Sequence, residues 1–538
     1  MQKKAVLIIH FIFAVLIVCG QNTFSLSIDD VIGQEKENLK SLAVYLPEYA
    51  KRYRAFTVNP AIQKKGNIAL NDTLKMELFT GEEYKAVIEK ITEINGIPSC
   101  RAKITGFDYA WVFISSDNGK SLITIEIPEE NKLFRVEYNP ATQKHFLIEV
   151  DKSKRDYIEE SPALIPPREN KKEEDKGSKG NSDLKLKSAS SEKKTAVDSP
   201  SLAGDEGPVF IDLMIVYTPA AYTWALNNEG GINNTIASVM NKSQLALDNS
   251  NTKIILNLVH SAEVDYVELH DNDDLYNLTY KNDGYMDEVH AWRDVYGADV
   301  VVLLEETGFT GGLAWLLTNA AGSPGYAFSL TRVQQASWTY TTIHEIGHNM
   351  GAHHHKEQID TPDGYPGQPG PGLFSYSAGG RWTGTDNGKY CSVMTYQSGD
   401  YFSDGVQHTR VPLFSDPYIT YQGVPTGNAT DADNARTLRE TKTVISNYRE
   451  GADDPGLFNA VAISQSQIDL SWYLNNGNPV LVAFSETPVA GNPTDGVTYS
   501  EGETLPGGGT VLYYGTGTGY SHSGLVTATP YYYKAWSN

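Results

Sequence analysis

Cysteine is scarce in this chain of 538 residues. Only Cys19, Cys100 and Cys391 are present, which excludes a disulfide-rich scaffold and a zinc site made of cysteines alone. Basic residues are also few, 44 against 66 acidic ones, and the net charge of −22 argues against nucleic acid or an anionic membrane as a long-range partner. Histidine is sparse too, but five of its 12 residues fall between positions 344 and 355. This cluster needs a chemical explanation.

Long apolar runs are absent after the N-terminus. Two lysines precede an apolar run over residues 5–18, which is too short to span a bilayer comfortably. Positive charge, a short apolar core and the small residue Gly20 at its exit predict a secretory signal peptide over residues 1–20. An uncleaved membrane anchor is the alternative. We therefore expect a protein that is secreted or attached to the cell surface, with no membrane span after signal cleavage.

Composition divides the rest of the chain into four parts and predicts a multidomain protein. The first part contains alternating apolar segments such as Leu122–Ile127, which predict a mostly-β unit. The second has almost no large apolar residues, which predicts a flexible linker with a site for activating cleavage. The third alternates strands with helices, as in an α/β domain with a mixed sheet, and the fourth has the composition of a β-sandwich. In order, these parts are residues 21–165, 166–207, 208–452 and 455–538.

The third part has the clearest secondary-structure pattern. Three short apolar runs predict buried strands, and two segments carry apolar residues at helical spacing. The predicted strands are Val209–Tyr217, Ile254–Val259 and Val300–Leu304. The predicted helices are Ile232–Leu247, with candidate core residues Ile232, Ile236, Val239, Met240 and Leu247, and Met286–Tyr296, with Met286, Val289, Trp292 and Val295 at roughly helical spacing.

The histidine cluster has the spacing of a zinc site. His344 and His348 are four residues apart, so they share one face of a helix and both rings can reach one metal ion. Gly351 can adopt a positive φ and turn the chain back, which lets His354 complete a three-histidine set. Three protein ligands leave a fourth position for water, as in a catalytic zinc site. Glu345, directly after the first ligand, is placed to act as a general base.

This segment resembles the zinc signature of the metzincin metallopeptidases, HExxHxxGxxH followed by a methionine turn. Met394 lies in a matching turn, and the resemblance implies that it forms the hydrophobic floor beneath the zinc ligands. Tyr396 occupies the position of a tyrosine that binds zinc or steadies the oxyanion in the astacin and serralysin branches, and a purely structural tyrosine is the alternative. His353 and His355 are then interpreted as solvent-facing or supporting residues.

Residues 209 to about 450 resemble the bacterial peptidyl-Asp metalloendopeptidases and their reprolysin-like relatives. The similarity includes segments such as Tyr285–His290 and Ala432–Arg436. One departure is His355, since those relatives usually have Asp there, and this weakens any transfer of substrate preference. The resemblance also implies an edge strand that binds substrate as an added β-strand, with a simple buried strand as the alternative. That segment consists of Gly312, Leu313, Ala314 and Trp315.

The resemblance implies a secreted endopeptidase with Zn²⁺ as its cofactor and proteins or peptides as its substrates. Glu345 would accept the proton of a zinc-activated water, and Tyr396 would help to stabilise the oxyanion. Two other functions remain open at this point. One is a secreted adhesin whose protease-like domain only binds, and the other is a zinc amidase that acts on a non-protein amide.

The N-terminal unit is expected to be a propeptide that keeps the enzyme latent. Cys100 is a candidate to ligate zinc as a thiolate, with a buried structural cysteine as the alternative, and a disulfide between Cys100 and Cys391 is conceivable. The C-terminal part resembles a fibronectin type III module in Ile468–Trp472 and in the segment that ends at Tyr533. The chain stops after what would be the sixth strand of such a module, so we expect an incomplete sandwich.

Overall fold

The structure, a computed structural model, shows a mostly-β protein made of several units. Most of the predicted signal peptide and of the predicted linker lies outside the residues that it describes. Within the described residues, no helix is both long enough and apolar enough to cross a membrane. The described residues are 13–15, 22–28, 46–167, 207–359, 368–449, 456–474, 479–487, 491–494, 497–527 and 529–537.

A nine-stranded sheet forms the N-terminal unit. After a short first strand, β1 (Phe13–Val15), its strands are β2 (Thr23–Ser25), β3 (Ala50–Phe56), β4 (Thr73–Phe79), β5 (Glu82–Ile94), β6 (Ile97–Ile104), β7 (Trp111–Asp117), β8 (Lys120–Ile127), β9 (Lys132–Asn139) and β10 (Lys144–Val150). The strand order is β2-β4-β5-β6-β7-β8-β9-β10-β3, and only β2 and β4 pair in parallel. The predicted strand at Leu122–Ile127 is confirmed within β8.

A five-stranded sheet with helices against it forms the centre of the next unit. Its elements are β11 (Val209–Tyr217), α1 (Pro219–Asn228), α2 (Ile232–Asn249), β12 (Ile254–Glu263), α3 (Asp271–Thr279), α4 (Asp287–Tyr296), β13 (Val300–Glu305), β14 (Gly312–Ala314), β15 (Phe328–Arg332), α5 (Val333–Ala336) and α6 (Thr341–Asn349). The strand order is β12-β11-β13-β15-β14. All neighbours are parallel except β14, which pairs antiparallel with β15 at the edge of the sheet.

The predicted strands and helices of this unit are confirmed. All five candidate core residues of α2 are buried. Met286, just before α4, and Val289 within it are buried, but Val295 is exposed because it lies on the solvent side of the helix, away from the buried Arg293. Helical spacing alone therefore placed the α4 helix correctly but not the burial of its last turn.

Small sheets and a C-terminal unit follow. Their elements are β16 (Arg381–Thr383), β17 (Lys389–Cys391), β18 (Thr409–Arg410), β19 (Thr420–Tyr421), β20 (Val424–Pro425), α7 (Asn434–Ile445), β21 (Gly456–Ser464), β22 (Gln467–Tyr473), β23 (Val480–Ser485), β24 (Thr510–Gly515), β25 (Gly519–Ser523) and β26 (Tyr531–Ser537). The last six strands form two sheets, which share an apolar core that includes Trp472 and Tyr533. At the edge of one sheet, β1 pairs with β26.

Helix α2 lies between the N-terminal sheet and the five-stranded sheet. Its apolar residues, such as Ile236 and Val239, pack in the core of the five-stranded sheet. Its opposite side is polar and still buried, because the N-terminal sheet covers it. There Asn241 donates a hydrogen bond to Ser99 Oγ (2.6 Å), and Lys242 forms an ion pair with Glu126. The two units therefore meet across a helix face that is polar at Asn241 and Lys242 and apolar at Leu245, which packs against Trp111 and Phe113.

Candidate metal centre

Helix α6 and the turn that follows it build the histidine site. The helix is buried along its whole length. Gly347 has no room for a side chain, because a Cβ there would lie 2.7 Å from Met394 Sδ. Gly351 has the predicted positive φ, at +88°. The chain reverses at this glycine, and His354 returns to the helix face that carries His344 and His348.

The three rings converge through their Nε2 atoms, which lie 3.0, 3.1 and 3.2 Å apart. Nitrogen ligands at about 2.0–2.1 Å from a tetrahedral zinc would lie roughly 3.3 Å apart. Backbone carbonyls orient the rings: the Nδ1–H groups of His344, His348 and His354 donate to the carbonyl oxygens of Val393 (2.8 Å), Ala352 (3.1 Å) and Gln368 (3.2 Å).

The protonation of these rings fits a metal ion. A carbonyl oxygen only accepts hydrogen bonds, so each Nδ1 carries the proton and each Nε2 keeps its lone pair. Burial lowers the pKa of all three rings, which keeps them neutral. Three buried lone pairs that face each other repel unless a cation lies between them. Among the described residues, this is the group of histidine, cysteine and acidic side chains whose geometry fits a metal.

Glu345 lies beside this group with no polar partner. Its side chain is fully buried, and neither carboxylate oxygen has a hydrogen bond within the protein. Burial raises the pKa of Glu345 well above its usual value, and the nearby Glu160 carboxylate adds to that shift. A Cβ at Gly312 would lie 2.6 Å from Glu345 Oε1. The glutamate therefore faces the edge strand β14 across a position where only glycine fits.

Met394 and Tyr396 both lie next to the histidines. The thioether of Met394 packs against Gly347 beneath the helix, and its side chain belongs to the core of the five-stranded sheet. The ring of Tyr396 lies with its centroid 4.6 Å from that of His354. The Tyr396 hydroxyl is buried and has no hydrogen-bond partner. The ring of Tyr396 therefore packs beside His354, and a role of its hydroxyl toward a substrate stays a prediction.

The two additional histidines lie outside the group. His353 is buried rather than solvent-facing, which leaves the supporting role of the two alternatives: its Nδ1 accepts a hydrogen bond from the backbone N–H of His354 (2.8 Å). His355 is partly exposed, and its ring packs at 5.6 Å from Phe402. Both contact the chain near the ligands and support its path.

Neither described cysteine lies where a latency switch requires it. Cys100 is buried in β6 within the core of the N-terminal sheet, and burial raises the pKa of its thiol to about 12. Cys391 is buried in β17, and burial likewise raises the pKa of its thiol to about 12. Both are free, so the conceivable disulfide between them is not formed. A buried, neutral thiol in a sheet core is a structural cysteine.

The edge of β14 is occupied by the end of the N-terminal unit. Gly311 N–H donates to Glu159 O (3.0 Å), and Ser161 N–H donates to Gly312 O (2.8 Å). Leu164 then donates to Ala314 O and accepts from Leu316 N–H, both at 2.8 Å. Residues 159–164 thus run along this edge and form a parallel bridge at Trp315. We call residues 159–164 the cleft segment.

Gly312, Leu313 and Ala314 form β14 at the edge of the sheet, and their role in substrate binding stays a prediction. Trp315 lies just beyond it. Its ring is buried in the core, and its indole N–H donates to Thr279 Oγ1 (2.8 Å). The Trp315 side chain is therefore structural, while its backbone continues the edge.

The cleft segment places one carboxylate deep beside the site. Glu160 Oε1 and Oε2 accept hydrogen bonds from Arg410 Nη1 (2.5 Å) and Nη2 (2.9 Å). Thr341 Oγ1 donates to the same Oε1 (2.8 Å). The Arg410 guanidinium holds the pKa of Glu160 below its usual value despite burial. Both side chains of the pair are essentially inaccessible to solvent.

Sequence reasoning missed Glu160, Arg410 and Thr341. The pair is 250 residues apart in the chain, and no motif marks either member. Only Thr341 carried a local signal, because it lies one helical turn before Glu345.

The sequence of the chain is similar to those of known metallopeptidases. Residues 210–408 match the family model Reprolysin_5, described as metallo-peptidase family M12. The chain is 28% identical over 330 residues to a peptidyl-Asp metalloendopeptidase of Stenotrophomonas maltophilia (strain R551-3), covering 61% of this chain and 68% of the relative. It is 30% identical over 249 residues to a protein of the same name from Xanthomonas campestris, covering 46% and 54%. A solved structure, metalloproteinase-II from Bacteroides fragilis, aligns with a TM-score of 0.31 and 13% identity over 65% of this chain and 94% of that one.

The buried three-histidine group and the match of residues 210–408 to the M12 family model define the class: these residues form a metzincin-like metallopeptidase domain. Its similarity to the peptidyl-Asp metalloendopeptidases makes it a metalloendopeptidase. Its substrates are accordingly proteins or peptides, and its family implies a catalytic metal.

Proposed function

We propose that the chain is a secreted, zinc-dependent endopeptidase that is made as a latent precursor. The observation that carries this proposal is the convergence of three neutral, buried Nε2 atoms beside an unpaired buried carboxylate. Three imidazole ligands with an open fourth position are the donor set of catalytic zinc. An adhesin would not need the unpaired Glu345 carboxylate, which costs free energy to bury.

In the proposed reaction, His344, His348 and His354 hold the metal. Bound zinc would supply Lewis-acid polarisation of the scissile carbonyl and would make a water molecule more acidic. Glu345 accepts the proton of the attacking water and passes it to the leaving amine. The Tyr396 hydroxyl donates a hydrogen bond to the developing oxyanion.

We propose that the substrate binds as an added strand on β14. The outer edge of β14 offers backbone N–H and C=O groups at the correct spacing, and the cleft segment already uses them in this way. Gly312 lets the substrate backbone approach Glu345 closely, because no side chain lies between them.

Occupation of this edge supports the proposed latency. The cleft segment holds the position that a substrate needs, so the N-terminal unit acts as a propeptide. Release requires cleavage in the predicted linker, followed by dissociation of the unit. Residues 1–20 are proposed to be the signal peptide, and residues 455–538 to be a fibronectin type III-like module for attachment or spacing. The relatives' name suggests cleavage at aspartyl residues, which we include in the proposal.

The test is a cleavage assay with the full chain after limited proteolysis of its linker. We expect it to hydrolyse a denatured protein, to lose activity with a chelator and to regain it with zinc. Glu345→Gln should retain bound zinc, measured by elemental analysis, and should lose about 10²–10⁴-fold in kcat. Near-wild-type turnover by this variant would refute the role of Glu345. Activity that survives complete metal removal would refute the zinc mechanism.

A further inference from the structure

Arg410 is fixed at the wall of the substrate cleft. Its Nε and Nη2 groups donate to Thr395 O at 3.2 and 3.0 Å, and Thr395 directly follows Met394. Thr341, which shares the pocket, lies one turn before Glu345 on α6. The guanidinium therefore lies between the methionine turn and the metal-site helix. Its remaining N–H groups point into the cleft, where the Glu160 carboxylate accepts their hydrogen bonds.

The cleft segment holds Glu160 beside Arg410 in the way that a bound peptide would hold one of its residues. Glu159 accepts a hydrogen bond from the edge strand through its carbonyl oxygen, and Ser161 donates one through its amide. The carboxylate between them enters the pocket of Arg410 and Thr341 in a two-pronged contact. An Arg fork and a carboxylate match in shape as well as in charge.

After the cleft segment leaves, the pocket formed by Arg410 and Thr341 still favours a carboxylate. Arg410 remains charged at any ordinary pH, and its bonds to Thr395 O hold it in place. If a neutral substrate side chain bound there, the N–H groups of the buried Arg410 guanidinium would lack hydrogen-bond acceptors. Binding of that side chain would therefore be strongly disfavoured. An aspartate or glutamate of the substrate restores the contacts.

The geometry points to Arg410, assisted by Thr341, as the specificity-determining residue that binds an acidic substrate side chain next to the scissile bond. In the precursor, Glu160 occupies this subsite as a built-in substitute for that side chain. This inference rests on the proposed endopeptidase function and deepens it.

The test compares peptides that differ at a single position. The full chain, activated by limited proteolysis, is given matched peptides with Asp, Asn, Glu or Gln at the position varied, and kcat/KM is measured for each. We expect the wild type to prefer Asp over Asn by on the order of 100-fold. In Arg410→Gln this ratio should fall to near one. Arg436→Gln is the matched control, since Arg436 pairs with Glu440 on a partly exposed helix surface, and it should keep the wild-type ratio.

Arg410→Gln leaves Glu160 without its partner in the precursor, which destabilises the fold of that variant. The double variant Glu160→Gln/Arg410→Gln removes both charges and is measured alongside it. Its thermal unfolding midpoint and zinc content should match those of the wild type, and its Asp-to-Asn ratio should also be near one.

The outcomes separate the two levels of the argument. If the wild type cleaves peptides without an acidic preference, or if the double variant keeps the preference, the subsite is refuted while the endopeptidase stands. If the wild type cleaves no peptide of any sequence, the proposed function fails and the subsite fails with it.

Discussion

Removal of the Glu160 carboxylate should weaken the latency of the uncleaved chain. In Glu160→Ala the four backbone hydrogen bonds between the cleft segment and the edge of β14 remain, but Arg410 loses both contacts to its partner and Thr341 loses its acceptor. Loss of one partner from a buried ion pair costs about 3–5 kcal/mol. In the open state Arg410 faces water, so this cost falls on the closed state alone.

A tenfold change in the ratio of open to closed chains corresponds to about 1.4 kcal/mol. The lower end of that range, about 3 kcal/mol, therefore corresponds to roughly a 100-fold larger open population. The assay is peptide hydrolysis by the intact chain, with integrity checked by mass before and after. Glu130→Ala is the control, because Glu130 pairs with Lys132 within the N-terminal unit, and it should remain latent. A Glu160→Ala precursor as inactive as the wild type would refute the idea that this pair closes the cleft.

Three further predictions concern other parts of the molecule. Cys100→Ala should leave the precursor latent in the same hydrolysis assay, because Cys100 lies in the core of the N-terminal sheet; active uncleaved protein would contradict this. Gly347→Val should lower the free energy of unfolding by about 1–3 kcal/mol through collision with Met394, measured by denaturant titration. Gly308→Val, where a Cβ meets open space, should have little effect. Burial lowers the pKa of His145 to about 4. Between about pH 6.5 and pH 4, His145 therefore gains a proton only in the unfolded chain. As the pH falls through this range, the free energy of unfolding should drop by up to about 3 kcal/mol. His145→Gln should reduce that drop, and an unchanged pH profile would count against the assignment.

The metal centre was predictable because its geometry is local. His344 and His348 need only the periodicity of one helix, and Gly351 needs only its freedom to adopt a positive φ. The carbonyl partners of the rings were not predictable, since Val393 and Gln368 come from separate loops. Strand positions were also clear, because short apolar runs in this chain are buried strands.

The mode of cleft closure could not be read from the sequence. Because a thiolate can ligate zinc, the sequence made Cys100 the candidate for keeping the precursor latent. Its position in the sheet core follows from the pairing of nine strands, which the sequence does not show. Nothing in the sequence distinguishes Glu160 and Arg410 from other charged residues. The fold pairs them although they are 250 residues apart in the chain. Long-range contacts of this kind have no periodicity or motif by which to find them.

The polar face of α2 has a consequence for maturation. The side of α2 that faces the N-terminal sheet carries the polar Asn241 and Lys242, together with Leu245, which packs against Trp111 and Phe113. Asn241 and Lys242 can exchange their bonds to the N-terminal sheet for bonds to water. In the proposed maturation, departure of that sheet would therefore uncover a surface that is polar at Asn241 and Lys242 and apolar at Leu245. The helix is suited to two successive environments, one against protein and one against solvent, without any change in its own fold.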